Sequence, residues 1–144
     1  MSDLPFVEVY TDCACSGNPG PGGWAAILRY GRHEKVIIGQ AKETTNNRME
    51  VTAALEALRT LTKPSRVRLH TDSSYLLNGA TSWLNDWKKR DWKRKHGKLQ
   101  NIDLWKEMDV ELSKHQVEWV WVKGHAGEPM NERVDALARR AIPG

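Results

Sequence analysis

The sequence VEVYTD at residues 7–12 has a near copy, VRLHTD, at residues 67–72. Both alternate apolar with polar or charged residues and end in Thr-Asp, a pattern typical of a strand with one buried face. If the two strands lie side by side in register, Asp12 and Asp72 share one face at neighbouring strand ends. Bare like charges there would repel each other. A divalent cation with a preference for oxygen ligands, such as Mg²⁺ or Mn²⁺, would remove the conflict.

Each of these aspartates also has an ordinary structural explanation. An aspartate after a strand often begins a turn or caps the next helix, as Asp72 would before Ser73. For either residue alone this explanation is the better one. The metal hypothesis therefore depends on the two strands being neighbours.

The rest of the pattern predicts an α/β architecture. Strands are predicted at residues 6–12, 24–30, 35–41, 66–71 and 117–122, with a tight connection at 17–23. Helices are predicted at residues 47–61, within 73–90 as one or two short pieces, at 103–114, and from Pro129 to near Arg140. Three successive strands with short connections indicate an antiparallel meander. The whole order predicts a mixed sheet with helices on its faces.

Length and charge limit the possible functions. A chain of 144 residues with 40% hydrophobic content is long enough for one core, so residues 1–144 are expected to form a single domain. The 22 Lys+Arg against 18 Asp+Glu give a net charge of +4, which favours an anionic partner. No secretory signal and no membrane span is predicted. A cytoplasmic, reducing location is expected, and Cys13 and Cys15 are too close in one strand to form a disulfide.

Glu50 is the third candidate metal ligand. It lies in the first turn of the helix predicted at 47–61, in line with Ala54 and Ala57, so it should point toward the sheet. A carboxylate on an apolar face is costly unless it has a partner. The alternative is a capping box, in which Asn47 caps the helix and Glu50 bonds back to it. The two explanations are about equally good.

Asp135 is the fourth candidate. It lies in the last predicted helix beside an apolar stripe that includes Val134 and Ala138, and so borders the buried face. Its alternative is an i,i+4 ion pair with Arg139 on the surface, worth only a few tenths of a kcal/mol. Taken singly, the ion pair is the better explanation.

One histidine is a candidate for proton transfer. His125 lies in the loop KGHAG at residues 123–127, between the last strand and the last helix, where an imidazole can shuttle protons or help product release. Most single histidines are ordinary surface residues. His33, His70, His96 and His115 are assigned to that class.

A basic segment with tryptophans follows the second group of helices. Residues 88–98 read KKRDWKRKHGK, preceded by Trp83 and Trp87 at i,i+4 spacing. Such a run can neutralise nucleic-acid phosphates and supply affinity that falls with salt. The alternative is a solvated helix with a basic loop. For Trp83 and Trp87, internal packing is about as good an explanation as substrate contact.

Five motifs occur in a fixed order along the chain. They are TD at 11–12 with GNPGPGG at 17–23, TTNNRME at 44–50, TDS at 71–73, VKGHAG at 122–127, and Asn131-Glu132 with Asp135. This arrangement closely resembles bacterial type 1 ribonuclease H over nearly the whole chain. The resemblance implies a ribonuclease H-like fold with a five-stranded mixed sheet in the order 3-2-1-4-5, its first three strands antiparallel.

The resemblance also implies the chemistry. It assigns endonucleolytic hydrolysis of the RNA strand of RNA/DNA hybrids, giving 5′-phosphate and 3′-hydroxyl ends, to a monomer that binds the hybrid. The metal-binding carboxylates would be Asp12, Glu50, Asp72 and Asp135, and the catalytic histidine His125. Two Mg²⁺ ions with substrate bound, or Mn²⁺ in their place, would activate water and stabilise the leaving 3′-oxygen.

Substrate contacts are implied in the same way. Asn18, Asn46 and Asn47 would sense RNA 2′-hydroxyls, and Thr45 with Asn101 would hold a DNA phosphate. Further contacts are assigned to Ser74 and to the basic segment with its tryptophans, namely Trp83, Trp87, Lys88, Lys89, Arg90 and Trp92. The alternatives are a turn before Pro19 for Asn18 and helix capping for Asn46 or Asn47.

Two positions depart from the family pattern. Cys13 stands where the family commonly has glycine, and Ser74 where it often has glutamine. The Cys13 side chain can alter local backbone freedom and, if accessible, add sensitivity to oxidation. The shorter Ser74 is expected to lose one base-edge or sugar contact.

Two other functions remain open on the sequence alone. One is a non-catalytic nucleic-acid-binding module with the same fold, which the complete carboxylate set disfavours. The other is a different enzyme of the fold, such as a strand-transferring recombinase or a Holliday-junction resolvase. The tryptophan-flanked basic segment and the TTNN run at residues 44–47 favour the hybrid nuclease.

Overall fold

The structure is a computed structural model and describes residues 4–93, 100–122 and 128–143. Its strands are β1 Phe6–Cys15, β2 Gly20–Tyr30, β3 His33–Thr44, β4 Arg66–Thr71 and β5 Gln116–Trp121. They form one sheet in the order β3-β2-β1-β4-β5. The pairs β1–β2 and β2–β3 are antiparallel, whereas β1–β4 and β4–β5 are parallel. The predicted sheet order is therefore confirmed.

The described helices are α1 Asn46–Thr60, α2 Ser74–Asn78, α3 Leu84–Lys89, α4 Ile102–Lys114 and α5 Pro129–Ala141. A π-helical turn, Gly79–Trp83, joins α2 to α3. Gly79 lies against the ring of Trp105 so closely that any side chain at this position would overlap it. The wide turn and the glycine together let the chain pass this buried tryptophan. No helix within the described ranges is long and apolar enough to cross a membrane.

Both faces of β1 are covered, which fixes the end of the strand. Val7 and Val9 point into the main core with Leu58 of α1. On the other face Tyr10 packs with Val134 of α5. Because neighbouring residues of β1 are anchored in opposite directions, the strand cannot slip by one residue without exchanging its faces.

The tight connection predicted over residues 17–23 is wrong in its second half, because β2 already begins at Gly20. Two of the glycines serve close packing rather than a turn. A Cβ at Gly22 would lie 2.6 Å from the Thr44 side chain, and one at Gly23 would lie 2.5 Å from the Ala138 carbonyl of α5. The glycines therefore let β3 and α5 approach β2.

Candidate active site

The two Thr-Asp strand ends lie beside each other. β1 and β4 are parallel and in register, with Tyr10 opposite His70. Asp12 and Asp72 each follow two residues later and so leave their strands on the same face. Asp12 is 6% exposed and Asp72 is half-buried.

Neither of the capping alternatives for Glu50 and Asp72 occurs. The cap of α1 is Thr45, whose hydroxyl accepts from the Arg48 amide at 3.2 Å, so Glu50 takes no part in a box with Asn47. The cap of α2 is Ser73, whose hydroxyl accepts from the Leu76 amide at 3.0 Å. Neither carboxylate is therefore used as a helix cap.

Three carboxylates converge at the ends of β1 and β4. One oxygen each of Asp12, Glu50 and Asp72 lies within 4.8 Å of the others, although the three residues are far apart in sequence. Asp12 also accepts the Cys13 amide at 2.8 Å. Burial, and then the charges of Asp12 and Asp72, raise the pKa of Glu50 to about 8. Such a group of oxygens suits a hard divalent cation, which would offset the repulsion between them.

Asp135 is placed differently. Its carboxylate forms the i,i+4 ion pair with Arg139 that was the alternative at this position, and it is not in the group of three. The side chain is nonetheless only 16% exposed. It lies next to Val134, which packs on Tyr10 of β1. The structure thus brings three of the four predicted ligands together, and the fourth stays a prediction.

Cys13 lies between Asp12 and the start of α1. Its thiol donates to the Asn46 carbonyl at 3.5 Å. Burial and the charge of Glu50 raise the pKa of this thiol well above its ordinary value. Because the thiolate is the reactive form, Cys13 should be a poor nucleophile. Cys13 and Cys15 are both free, as predicted.

The assignment of the histidines to the surface is wrong for two of them. His70 stacks on Tyr10, and the His115 ring accepts the Ser65 amide at 3.1 Å through Nδ1. The signal for His70 was its match to Tyr10 in the paired strand motifs. His125 and His96 lie outside the described residues.

The asparagines assigned to the RNA strand gather at the N-terminus of α1. The Asn18 side-chain oxygen accepts the Asn46 amide at 3.1 Å, which ties the β1–β2 connection to the helix. Asn18, Asn46 and Asn47 are exposed. Ser74, the first residue of α2, is exposed as well.

Asn101 is linked to the same end of α1. Its side-chain oxygen accepts from Arg48 at 3.2 Å and its amide donates to the Tyr75 hydroxyl at 3.1 Å. Arg48 also pairs with Asp103 through both guanidinium nitrogens, at 3.1 and 2.7 Å. This network links Asn101 to Arg48, whose backbone amide donates to Thr45, the residue assigned to the same phosphate.

Trp83 and Trp87 belong to an aromatic cluster with Tyr75 and Trp105. Ring centroids are 5.9 Å apart for Trp83–Trp87, 5.7 Å for Tyr75–Trp83 and 5.5 Å for Trp87–Trp105. The packing explanation is therefore realised for both residues. Trp83 still leaves 37% of its surface exposed, so substrate contact remains open to it. Trp92 is half-buried, with Lys106 over its ring at 5.8 Å.

The described part of the basic segment is exposed and partly paired. Nζ of Lys88 lies 3.1 Å from a carboxylate oxygen of Asp109, and Nε of Arg90 lies 3.5 Å from one of Asp86. Lys89 is exposed and forms no ion pair within the described ranges. Residues 94–98 of the segment fall outside them.

Comparison with known proteins decides the family. The RNase H family model matches residues 5–143. The chain belongs to the RNase H family. It is 57% identical to the Ribonuclease H of Novosphingobium aromaticivorans over 96% of its own length and 97% of the relative's. It is 54% identical to the Ribonuclease H of Bradyrhizobium diazoefficiens over 99% of its length and 93% of the relative's. The predicted family and enzyme class, a metal-dependent endoribonuclease that cleaves the RNA strand of hybrids, are confirmed.

Solved structures agree with the fold. LC9-RNase H1, described as a type 1 RNase H with the type 2 active-site motif, superposes with a TM-score of 0.90 at 38% identity, covering 99% of this chain and 74% of that one. LC11-RNase H1, solved in complex with an RNA/DNA hybrid, gives a TM-score of 0.66 at 21% identity, covering 94% of this chain and 96% of that one. The second likeness bears on the fold alone.

Proposed function

We propose that the RNase H activity of this chain uses a site in which Asp12, Glu50, Asp72 and Asp135 hold two Mg²⁺ ions when a hybrid is bound, with Mn²⁺ as a substitute. The observation that carries this proposal is the convergence of three carboxylates within 4.8 Å. The fourth ligand requires Asp135 to leave Arg139. Because Arg139 is 69% exposed, this ion pair adds little stability, and a nearby divalent charge can replace it.

The protein residues prepare and hold the site. The bound ions would supply the Lewis acidity for in-line attack of water on the scissile phosphate, leaving 5′-phosphate and 3′-hydroxyl ends. Glu50 must give up its proton before it can act as a ligand, since its pKa is about 8 in their absence. Asp12 and Asp72 lie on either side of the site at paired strand ends. His125 is proposed to transfer a proton during product release.

Selection of the hybrid is proposed to begin beside the carboxylates. Asn18, Asn46 and Asn47 are exposed at the N-terminus of α1, the helix that carries Glu50. Amide groups can both donate to and accept from a 2′-hydroxyl, which only the RNA strand has. Thr45 and Asn101 are proposed to hold a phosphate of the DNA strand, and Ser74 to contact the substrate from α2.

The basic segment is proposed to grip the hybrid through its backbone. Lys88, Lys89 and Arg90 form an exposed group beside Trp83, Trp87 and Trp92. Of the three cations, Lys89 has no competing carboxylate in the described ranges, whereas Lys88 and Arg90 must first leave Asp109 and Asp86. Lys89 should therefore contribute most directly to phosphate binding.

Replacing Lys89 by alanine should weaken hybrid binding regardless of sequence and flatten the plot of log affinity against log salt by about one unit. The measurement is hybrid binding by the Asp12→Asn protein over a series of salt concentrations. Lys63→Ala is the control, because Lys63 is also exposed but lies after α1, away from the segment. If the salt slopes of the Asp12→Asn protein with and without Lys89→Ala were equal, the basic segment would not be part of the interface.

We further propose that the chain acts as a single-domain monomer in the cytoplasm. The two free cysteines support a reducing location, and the joining of the described strands in one sheet supports one domain. Light scattering coupled to size exclusion tests the monomer. A mass of two chains would contradict it.

The test of the site is a cleavage assay on three labelled duplexes: an RNA/DNA hybrid, double-stranded RNA and double-stranded DNA. Only the hybrid should be cut, on its RNA strand, and only with Mg²⁺ or Mn²⁺ present. Asp12→Asn should abolish cleavage. If Asp12→Asn cut the hybrid normally, the proposed metal site would be wrong. A branched DNA junction is added as a fourth substrate, and its cleavage would instead favour a resolvase.

A further inference from the structure

The two strands that carry Asp12 and Asp72 are joined by a pair of stacked rings. The rings of Tyr10 and His70 lie with centroids 4.3 Å apart and planes inclined by 12°. Because side chains alternate along a strand, these rings share a face of the sheet with the two aspartates. They are the nearest residues on that face within each strand.

The ring pair marks the end of regular pairing between β1 and β4. The parallel register runs from Phe6–Arg66 to Tyr10–His70 and is not continued beyond it. Asp12 and Asp72 therefore lie past the last paired position. The Tyr10–His70 pair is thus the last directly opposed pair of residues between β1 and β4 before the aspartates.

Glu8 contacts both rings on the side away from the aspartates. The Tyr10 hydroxyl donates to Glu8 at 2.8 Å, and Nε2 of His70 lies 3.6 Å from the other oxygen of Glu8. Arg68 reaches that oxygen at 3.3 Å. A shift of β4 against β1 would break the stacking and these contacts together.

The same pair reaches the helix of the fourth carboxylate. Tyr10 is 8% exposed and packs with Val134 and Ala138 of α5. Asp135 lies between those two residues in sequence. The ring pair thus touches β1, β4 and α5, three of the four elements that carry the proposed ligands.

We infer that Tyr10 and His70 are positioning residues, which set the separation of Asp12, Asp72 and α5 that metal binding requires. They act through the strands and the helix and do not contact the metal themselves. The inference rests on the proposed metal site. Residues that only orient metal ligands commonly affect metal affinity by roughly 10–100-fold.

The experiment compares three variants of the full chain. His70→Leu removes the stack while keeping apolar bulk, and His70→Phe keeps a ring. Val67→Ala is the control, because Val67 is a buried residue of the same strand on the opposite face. Two quantities are measured at a temperature where all variants are folded: the Mg²⁺ concentration for half-maximal hybrid cleavage, and Mn²⁺ binding to the protein alone by calorimetry.

His70→Leu should raise the required Mg²⁺ and weaken Mn²⁺ binding by about 10-fold. His70→Phe should keep the parent Mg²⁺ requirement and Mn²⁺ affinity, because a ring still stacks on Tyr10. Val67→Ala should lower the thermal midpoint without changing either metal response. If His70→Leu loses stability but keeps the parent metal response, as expected of Val67→Ala, the role is structural only and the inference is overturned.

Two further variants keep the test decisive. Should His70→Leu fail to fold, His70→Gln, which also lacks a ring, takes its place with the same expectation. Asp12→Asn is measured in the same series. An active Asp12→Asn would refute the metal site itself, whereas an inactive Asp12→Asn beside a parent-like His70→Leu would refute the positioning role alone.

Discussion

Replacing Glu50 by glutamine is expected to lower the rate of hybrid cleavage by about 10³-fold or more, beyond the roughly 10–100-fold typical of residues that only orient a metal ligand. The neutral amide keeps the size of the side chain but removes one of the three converging charges. The metal-free fold should be at least as stable as the parent at neutral pH, because a buried carboxylate next to Asp12 and Asp72 no longer has to ionise.

The measurement is single-turnover cleavage at saturating Mg²⁺, with thermal unfolding in chelator beside it. Glu56→Gln is the matched control: it is the same chemical change in the same helix, at a side chain that is 37% exposed and pairs with Arg59. Its cleavage rate should equal the parent's. A Glu50→Gln protein that cut the hybrid at the parent rate would exclude Glu50 from the site.

Much of the fold was predictable because local patterns and packing agree. The alternation in residues 7–12 and 67–72 predicted two strands. Their common Thr-Asp ending suggested the hypothesis that they lie side by side, which the family resemblance also implied; both are observed. The helix over residues 47–61 was found to within a residue at each end, since Pro64 and the Ala-Leu composition act locally. Local signals of this kind are readable without tertiary structure.

The parts that sequence missed depend on contacts between distant residues. Glycines at 20–23 were interpreted as a turn, although Gly23 is small because Ala138 of α5 passes it. The π-helical turn at Gly79 has the same kind of cause, the ring of Trp105. The residues next to Gly23 in sequence do not reveal that α5 passes it, and those next to Gly79 do not reveal the contact with Trp105 of α4.

The site was predictable as a set of residues but not as a geometry. The convergence of Asp12, Glu50 and Asp72 followed from strand pairing and helix phase. The sequence did not predict which partner two of the side chains would contact: Asp135 pairs with Arg139, and His70 stacks on Tyr10. A sequence names the candidate partners of such groups, and packing selects between them.

The metal-free protein is expected to lose stability as the pH rises from about 5.5 to 8. The pKa of Glu50 is raised from its ordinary 4.5 to about 8, by burial first and then by Asp12. In this range the folded chain therefore retains a proton that the unfolded chain has already released, and the folded chain loses it only near pH 8. Each pKa unit of such a difference is worth about 1.4 kcal/mol, so the thermal midpoint should fall by roughly 5–10 °C across the window.

Other titratable groups change the stability differently over this pH range, so the loss can be assigned to Glu50. Glu8, Glu34 and Asp103 have lowered pKa values, so their contribution is lost only at pH values below this window. Burial lowers the pKa of His115, which adds stability as the pH rises and so opposes the loss. Glu50→Gln keeps all four groups, and the difference between parent and variant isolates Glu50.

Thermal unfolding in chelator at a series of pH values provides the measurement, with a parallel series in Mg²⁺. The parent should become less stable than Glu50→Gln toward pH 8 in chelator. Saturating Mg²⁺ should reverse the trend in the parent, since ligation requires the ionised carboxylate, and should have less effect on the variant. Parallel curves for the two proteins in chelator would mean that Glu50 is already ionised in the metal-free fold. The buried charge would then have to be offset by hydrogen bonds to the Glu50 carboxylate rather than by a retained proton.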